Sequence, residues 1–418
     1  MNKYLLILLF SSTLFCTKSK GGDCGQRYAN IIVTDSVLIT KDIWYGRSQN
    51  SDGTWKDLYL DFYQPYNDSL TDRPLLLFMH GGSFLNGDKN MLEAYYPCYE
   101  MARRGYCAAS LSYRIEANPL NLISPEKMIK AVMRAVQDAK AGIRYFYRIA
   151  KDSNNVYGID TNQIFMGGCS AGALAAMHTV YMNSIDELEP DFRRYVSQLG
   201  GIDGNSGNTG YSSAVKGVVQ ISGALRDKHY LDDNINIPMV SVHNNTDLSV
   251  PSRYGRPYFI PTLPQVCGSI KLHEYALTIG LDNPLYIVPG IGHVPYKSND
   301  DGSPVQPIYD STMTLIANFL HKYVTCNAVT TLVRDITFSI KTNIYPNPAN
   351  ETITVEINAL KEDFYIEIYD YLGKIVFREK LTSTRSNFSL PNINKGNYHV
   401  MIVNADHAVQ SISSLSVQ

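Results

Sequence analysis

Continuous apolar runs that alternate with helix-patterned segments make up most of this sequence. RPLLLFMHGG (73–82) and IPMVSVH (237–243) are apolar almost throughout, as strands buried on both faces of a sheet are. The segments 90–105 and 125–151 carry apolar residues at helical spacing. Parallel strands need crossover connections, which are usually helices. The order therefore predicts an α/β unit over residues 30–326, with a mostly parallel central sheet flanked by helices.

The sequence changes character after residue 342. NIYPNPANETITVEI (343–357) and FYIEIYDYLGKIVFREKL (364–381) alternate as short strands do, and Asn, Gly and Pro divide them. This pattern predicts a small antiparallel β-sandwich at 343–418, joined through a linker at 327–342. Two domains also suit a chain of 418 residues, because single cores usually stop growing at about 250–300 residues.

The first twenty residues, MNKYLLILLFSSTLFCTKSK, have the pattern of an export signal. Lys3 precedes a short apolar run, and small and polar residues follow it. The run is too short to span a bilayer, so no transmembrane anchor is expected. Cys16 leaves lipid attachment open, although bulky Phe15 stands before it. We expect a signal peptide at 1–20 and a protein that is secreted or held at the cell surface.

The net charge limits the classes of partner that we expect, and the positions of the cysteines indicate which of them are thiols and which are disulfide candidates. The formal net charge of −2 gives no basis for binding nucleic acid. Export permits disulfides, although the pairing is not readable from the sequence. Two cysteines in apolar contexts are predicted to be buried thiols, namely Cys107 and Cys169. Four at element ends or in loops are better disulfide candidates, namely Cys24, Cys98, Cys267 and Cys326.

The pentapeptide GCSAG (168–172) stands directly between a short apolar strand at 162–168 and an apolar helical segment. A serine on such a turn projects above the sheet, and the next backbone N–H points to where an oxyanion would form. The pattern alone recurs by chance. Its position between strand and helix predicts that Ser170 is a nucleophile, with a purely structural turn serine as the alternative.

A serine hydroxyl needs a base in order to attack at neutral pH. His293 follows the apolar run 284–290, where glycines allow a loop to fold back over the carboxyl edge of the sheet. We predict that His293 is this base. Asp247 follows the strand at 237–243 and is the predicted carboxylate that orients the imidazole. Asp227, after the preceding strand, is the rival for that role.

HGGSF (80–84) ends another apolar strand. Its two consecutive glycines free backbone N–H groups to point into the site. Gly82 and Ser83, together with the backbone N–H of Ala171, are the predicted oxyanion hole. His80 is expected to be a hydrogen-bonding strut of this loop and not a base.

Several motifs in a fixed order resemble a known family. HGGSFLNGDKN, YGIDTNQIFMGGCSAGA, HNNTDLSVP and GIGHVPY look like the carboxylesterase/lipase-like branch of the α/β-hydrolase fold, over nearly all of 30–326. YPNPA, IYDYLGK and NKGNYHVMIV in the tail are similar to the C-terminal sorting domain of the type IX secretion system. The first match departs at Ser83, where HGGG is usual, and at Asn244, where HGTxD is commoner.

The resemblance implies a reaction and a partner. Ser170 would attack an ester carbonyl while His293 removes its proton and Asp247 holds the imidazole. Such chemistry needs no metal and no cofactor. The tail would engage the type IX secretion machinery.

The segment from Met182 to Ser213 lies where such enzymes insert a cap. It is charged and then rich in Gly, Asn and Ser, without the broad apolar face of a lid that works at an oil–water interface. Short-chain, aromatic or carbohydrate-linked esters are therefore the expected substrates. The alternatives are a polyester hydrolase or lipase of the same fold, a serine peptidase and a non-catalytic surface-binding protein.

Overall fold

The computed structural model describes residues 27–29, 32–297, 303–326, 340–360, 362–370, 374–390, 393–405 and 409–418. The chain divides into two compact units, Met1–Asn327 and Ala328–Gln418. The predicted signal peptide at 1–20 and most of the predicted linker at 327–342 lie outside the described residues.

The first unit alternates strands with helices. Its strands are β1 Val37–Gln49, β2 Trp55–Pro65, β3 Arg73–Met79, β4 Cys107–Leu111, β5 Ile159–Cys169, β6 Gly217–Ile221, β7 Ala224–Leu225, β8 Met239–Thr246, β9 Tyr254–Gly255, β10 Val266–Gly268 and β11 Leu285–Ile291. Its helices are α1 Leu92–Arg103, α2 Pro125–Asp152, α3 Ala171–Tyr181, α4 Pro190–Gln198, α5 Ser269–Ile279 and α6 Gln306–Tyr323. Short 3₁₀ helices lie at Pro119–Ile123, Ile185–Glu187, Lys228–Asn234 and Pro257–Phe259.

Eight of these strands form one sheet, in the order β1–β2–β4–β3–β5–β6–β8–β11. β2 pairs antiparallel with β1 and β4, and the neighbours from β4 to β11 pair in parallel. The predicted α/β class with a mostly parallel sheet is confirmed. β1 is an edge strand that leaves many side chains in water, so it lacks the continuous apolar run by which the inner strands are predicted from the sequence.

Both faces of the sheet are covered, as the apolar runs require. Every residue of β3 is buried, and alternate residues point to opposite faces. Leu75 and Leu77 belong to the core that includes Leu174 of α3. Leu76 and Phe78 belong to a second core, which includes residues of α1 and α6.

The parallel strands place four loops at one edge of the sheet. β3, β5, β8 and β11 end at Met79, Cys169, Thr246 and Ile291. Because these strands run in the same direction, the segments that follow them emerge at their common carboxyl edge. In open α/β sheets this edge is where ligands bind.

The second unit is made of antiparallel strands. They are β12 Thr342–Tyr345, β13 Thr352–Ile357, β14 Phe364–Tyr369, β15 Ile375–Lys380, β16 Arg385–Ser389, β17 Gly396–Asn404 and β18 Val409–Val417. They form two sheets, ordered β12–β13–β16 and β15–β14–β17–β18. Side chains from both sheets share one core, to which Val355, Ile366 and Ile402 belong. The predicted small β-sandwich is confirmed.

The cysteine predictions hold only in part. Cys107 and Cys169 are buried free thiols, as predicted. Cys98 and Cys267 are also buried and free, so their assignment as disulfide candidates is wrong. Cys98 lies on the buried face of α1, where helical packing and not a loop surrounds it. Cys326 is disulfide-bonded, and Cys24 lies outside the described residues.

Across the described ranges, no helix has both the length and the apolar character that crossing a membrane requires.

Candidate active site

Ser170 occupies the sharp turn between β5 and α3. Its φ of 54° and ψ of −123° form a backbone conformation that few L-residues adopt. The neighbouring glycines make the turn possible. A Cβ at Gly168 would lie 2.3 Å from the carbonyl carbon of Gly172, and a Cβ at Gly172 would lie 2.3 Å from the carbonyl oxygen of Met79. Close packing of β5 against the start of α3 requires glycine at position 168, and close packing of α3 against the end of β3 requires glycine at position 172.

The structure brings the three predicted side chains together. His293 Nε2 lies 2.6 Å from Ser170 Oγ, and His293 Nδ1 lies 2.6 Å from Asp247 Oδ2. An ionised carboxylate only accepts hydrogen bonds, so Nδ1 carries the proton and Nε2 is left to accept from the serine hydroxyl. This is the tautomer in which an imidazole can remove the proton of Ser170.

Asp247 is held by four donors. Its Oδ1 accepts from the backbone N–H groups of Ser249 and Val250, at 2.8 and 3.0 Å. Its Oδ2 accepts from His293 and His243, at 2.6 and 3.1 Å. Burial by itself raises the pKa of a carboxyl, but hydrogen bonds from the two histidines outweigh burial and lower the pKa of Asp247 to about 2. Asp247 is therefore a carboxylate at neutral pH.

His243 is a site residue that the sequence analysis did not identify. It is fully buried near the end of β8, and its Nδ1 lies 2.6 Å from Ser269 Oγ at the start of α5. Gln220 Nε2 donates to the same hydroxyl oxygen at 2.7 Å. The hydroxyl proton is then directed to His243 Nδ1, which leaves the imidazole proton on Nε2, facing Asp247. The one sequence feature that points to His243 is its position four residues before Asp247. Its other partners, Ser269 and Gln220, are distant in sequence.

The loop that carries His293 is anchored to neighbouring strands. The Ser222 hydroxyl donates to the carbonyl oxygen of His293. Gly292 N–H donates to Thr246 O at 3.2 Å. A Cβ at Gly292 would lie 2.8 Å from the Asn244 side chain, which is itself buried. Asn244, the departure from HGTxD, thus fills the space beneath this loop from within β8.

The loop after β3 turns back toward the serine. A Cβ at Gly81 would lie 3.3 Å from Ser170 Cβ. Gly82 and Ser83 have φ of 101° and 58°, and their N–H groups donate to no acceptor in the described part of the chain. The N–H of Ala171 is in the first turn of α3 and has no intrahelical partner. These are the three groups predicted to bind an oxyanion.

His80 supports this loop. It is fully buried, its Nδ1 lies 2.7 Å from Gly81 O, and its ring stacks on Tyr113 at 4.3 Å. The Tyr113 hydroxyl donates to the carbonyl oxygens of His80 and Gly81, at 2.9 and 3.2 Å. Burial lowers the pKa of His80, which favours the neutral ring. These contacts give His80 a structural role in the loop, as predicted from the sequence.

The rival carboxylate has a different role. Asp227 accepts from the backbone N–H of His229 at 3.0 Å and caps the 3₁₀ helix Lys228–Asn234. The structure therefore places Asp247 against His293 and leaves Asp227 as a helix cap.

A cleft of about 180 Å³ opens at Ser170. Besides Ser170, Ser83 and Ala171, its walls are almost entirely apolar. They come from the loop after β3, from Pro119–Ile123, from α2 and from residues 257–263.

At the carboxyl edge of the mostly parallel sheet, a serine, a histidine and an aspartate are hydrogen-bonded in series. This combination defines a serine hydrolase of the α/β-hydrolase class. Residues 60–226 match the model of the BD-FAE family, an esterase family of this class. Residues 343–415 match the secretion system C-terminal sorting domain. The predicted type IX sorting domain is confirmed, and the protein is secreted or displayed at the cell surface.

Solved structures similar to this chain include esterases of the planctomycete Thermogutta terrifontis. Esterase 2 phosphorylated by paraoxon is 20% identical, with a TM-score of 0.47, over 69% of this chain and 94% of that one. The propionate-bound form is 20% identical, with a TM-score of 0.46, over 67% and 92%. No curated protein sequence matches the chain.

Proposed function

We propose that this protein is a secreted carboxylic-ester hydrolase that forms an acyl-enzyme on Ser170. The observation that carries the proposal is the hydrogen-bonded series from Ser170 through His293 to Asp247. We assign catalysis to residues 30–326 and export to 343–418, joined by a linker at 327–342.

In the acylation step, Ser170 Oγ attacks the ester carbonyl carbon while its proton moves to His293 Nε2. The carbonyl oxygen becomes an oxyanion, and the N–H groups of Gly82, Ser83 and Ala171 are arranged to donate to it. The bond to the leaving oxygen then breaks as His293 returns the proton to that oxygen. An alcohol leaves, and the acyl group remains on Ser170.

In the deacylation step, water takes the place of the alcohol. His293 removes a proton from the water, whose oxygen attacks the acyl carbon. The second tetrahedral species collapses, Ser170 Oγ takes back the proton, and a carboxylic acid leaves. Asp247 stays ionised throughout and holds the imidazole in the productive tautomer.

The substrates we propose are soluble short-chain, aromatic or carbohydrate-linked esters, not emulsified triglycerides or a polyester. The apolar cleft at Ser170 suits an acyl group without charge. Arg193, Arg194 and other charged residues leave the outer surface of α4 polar, which does not suit adsorption to oil.

The test is to trap the acyl-enzyme. The protein is mixed with p-nitrophenyl butyrate, quenched in acid within the first turnovers and digested for mass spectrometry. We expect a butyryl group on the peptide that contains Ser170, together with p-nitrophenol release. Exposed Ser197 offers a matched control, since Ser197→Ala should acylate normally. Turnover without any acylated serine, or cleavage of an aminoacyl-anilide in preference to the ester, would overturn the proposal.

A further inference from the structure

A second, smaller cavity of about 80 Å³ lies behind the cleft at Ser170; we call it the rear cavity. α2, α3, α4 and the segment 257–266 supply its walls. Most of the lining is apolar, including Ile129, Val132, Met182, Phe192, Val196 and Val266.

The rear cavity adjoins the cleft at the nucleophile. Met128, Leu174, Pro257 and Leu263 line both spaces and therefore form the wall between them. These residues come from α2, α3, the 3₁₀ helix Pro257–Phe259 and the loop after that helix. The wall therefore consists of side chains from separate elements and not of continuous backbone.

The rear cavity extends along α3, away from Ser170. Leu174 and His178 lie four and eight residues after Ser170, and Met182 lies twelve residues after it. At 1.5 Å per residue, these positions are about 6, 12 and 18 Å along the helix axis from the nucleophile. Because Leu174 lines both spaces, the rear cavity extends from the level of Leu174 along α3.

Two polar side chains of the lining, His178 and Arg226, are hydrogen-bonded to other parts of the protein. His178 Nδ1 lies 2.7 Å from Leu174 O, and its Nε2 accepts from the backbone N–H of Arg226 at 3.1 Å. Burial lowers the pKa of His178 to about 4, so the ring is neutral near neutral pH. The Arg226 guanidinium donates to the Glu189 carboxylate, which compensates its charge, and to the backbone carbonyl oxygen of Gln265. Among the described residues, its Nε has no partner. An uncharged chain is the occupant that such walls accept.

We propose that the rear cavity is a compartment for the acyl chain of a medium-length ester. The inference rests on the proposed function and extends its acyl range. An acyl group on Ser170 fills the cleft first, and a linear chain on the order of eight to ten carbons passes between Met128, Leu174 and Leu263 into the rear cavity, given the ~6 to ~18 Å depth along α3.

The cap segment contributes apolar side chains to the interior of the protein. The segment 182–213 lacks an apolar outer face, but Phe192 and Val196 of α4 line the rear cavity. The apolar residues of the cap therefore serve an internal chain and not an oil surface. Long triglycerides remain excluded as substrates, whereas soluble medium-chain esters are included among the proposed substrates.

The experiment measures kcat/KM for p-nitrophenyl acetate, hexanoate and decanoate below their aggregation limits. We expect kcat/KM to increase by up to about fourfold per added methylene, since the burial of each methylene is favourable. Val196→Phe should fill the rear cavity and lower the decanoate-to-acetate ratio at least tenfold. Val156→Phe is the matched control, because Val156 is 69% exposed, and it should keep the wild-type ratio. Val132→Phe introduces the same bulk from α2, should Val196→Phe fail to fold.

The outcomes separate the two proposals. If acetate is hydrolysed through Ser170 but the ratio does not rise with chain length, or Val196→Phe matches Val156→Phe, the acyl compartment is wrong and the esterase proposal stands. If neither ester is hydrolysed, the esterase proposal is wrong. Calorimetric titration with decanoic acid then tests the compartment without turnover, and equal binding by the wild type and a folded rear-cavity variant overturns it.

Discussion

His243 and His293 donate to the same oxygen of Asp247, Oδ2, at 3.1 and 2.6 Å. One imidazole is fully buried and bound on its far side to Ser269, whereas the other is partly exposed and faces Ser170. The buried ring has no contact with the nucleophile. We infer that it positions the carboxylate and helps to keep it ionised.

Replacing His243 tests this positioning role. His243→Leu removes one donor to the Asp247 carboxylate, so the pKa of Asp247 should rise and kcat should fall about tenfold, the weight of one hydrogen bond to a charged group. KM should change little, since His243 does not line the cleft. His243→Gln can still donate an amide N–H and should recover part of the activity. Equal loss in both variants, with an unchanged pH–rate profile, would assign His243 a packing role only.

Ser170→Ala tests the nucleophile. We expect a folded protein whose ester turnover falls by several orders of magnitude, on the order of 10⁴ or more, as removal of a triad serine does elsewhere. Labelling by a fluorophosphonate should disappear in the same variant and persist in Ser197→Ala. A label that remains on another serine contradicts the assignment.

Asp247→Asn and Asp227→Asn test which carboxylate orients the imidazole. Asp247→Asn should reduce kcat by about 10³–10⁴, because an amide favours the wrong tautomer of His293. Asp227→Asn should lower kcat only slightly, since Asp227 caps a 3₁₀ helix and asparagine is also a good cap. Both are measured by ester turnover, with circular dichroism as the check on folding. A reversed ranking would exclude Asp247 as the acid.

His178 makes stability depend on pH. Its folded pKa, about 4, lies below its ordinary value of 6.5 because the ring is buried. The unfolded chain therefore binds the proton more tightly, and stability is lost as pH falls from about 6.5 toward 4. Between pH 7 and pH 5 the free energy of unfolding should drop by about 2 kcal/mol on this account. His178→Gln should lack this part of the drop in urea titrations, and His229→Gln, at an exposed histidine, should retain it.

Truncation after Thr342 tests the division of labour between the two units. The shortened protein should hydrolyse soluble esters normally but remain in the periplasm, because the sorting domain is missing. Activity and cellular fractionation measure the two effects. A truncated protein that still reaches the medium but no longer binds an insoluble polysaccharide would make the tail a binding module instead.

Much of the fold and of the candidate site could be predicted from local sequence patterns. Ser170, Asp247 and His293 each follow an apolar strand, and parallel strands bring their carboxyl ends to one edge. Strand and helix periods are properties of neighbouring residues, so they are readable along the chain. The same holds for the alternating strands and turns of the C-terminal sandwich.

Only the tertiary structure decided which distant residues meet. His243 binds Asp247 because Ser269 of α5 and Gln220 of β6 pack beside it, and no local pattern encodes that contact. The rear cavity exists because α4 turns Phe192 and Val196 toward α2 and α3, although the cap is mostly polar in sequence. Periodicity determines which face of an element is buried, but the packing partner depends on how the whole chain folds around the sheet.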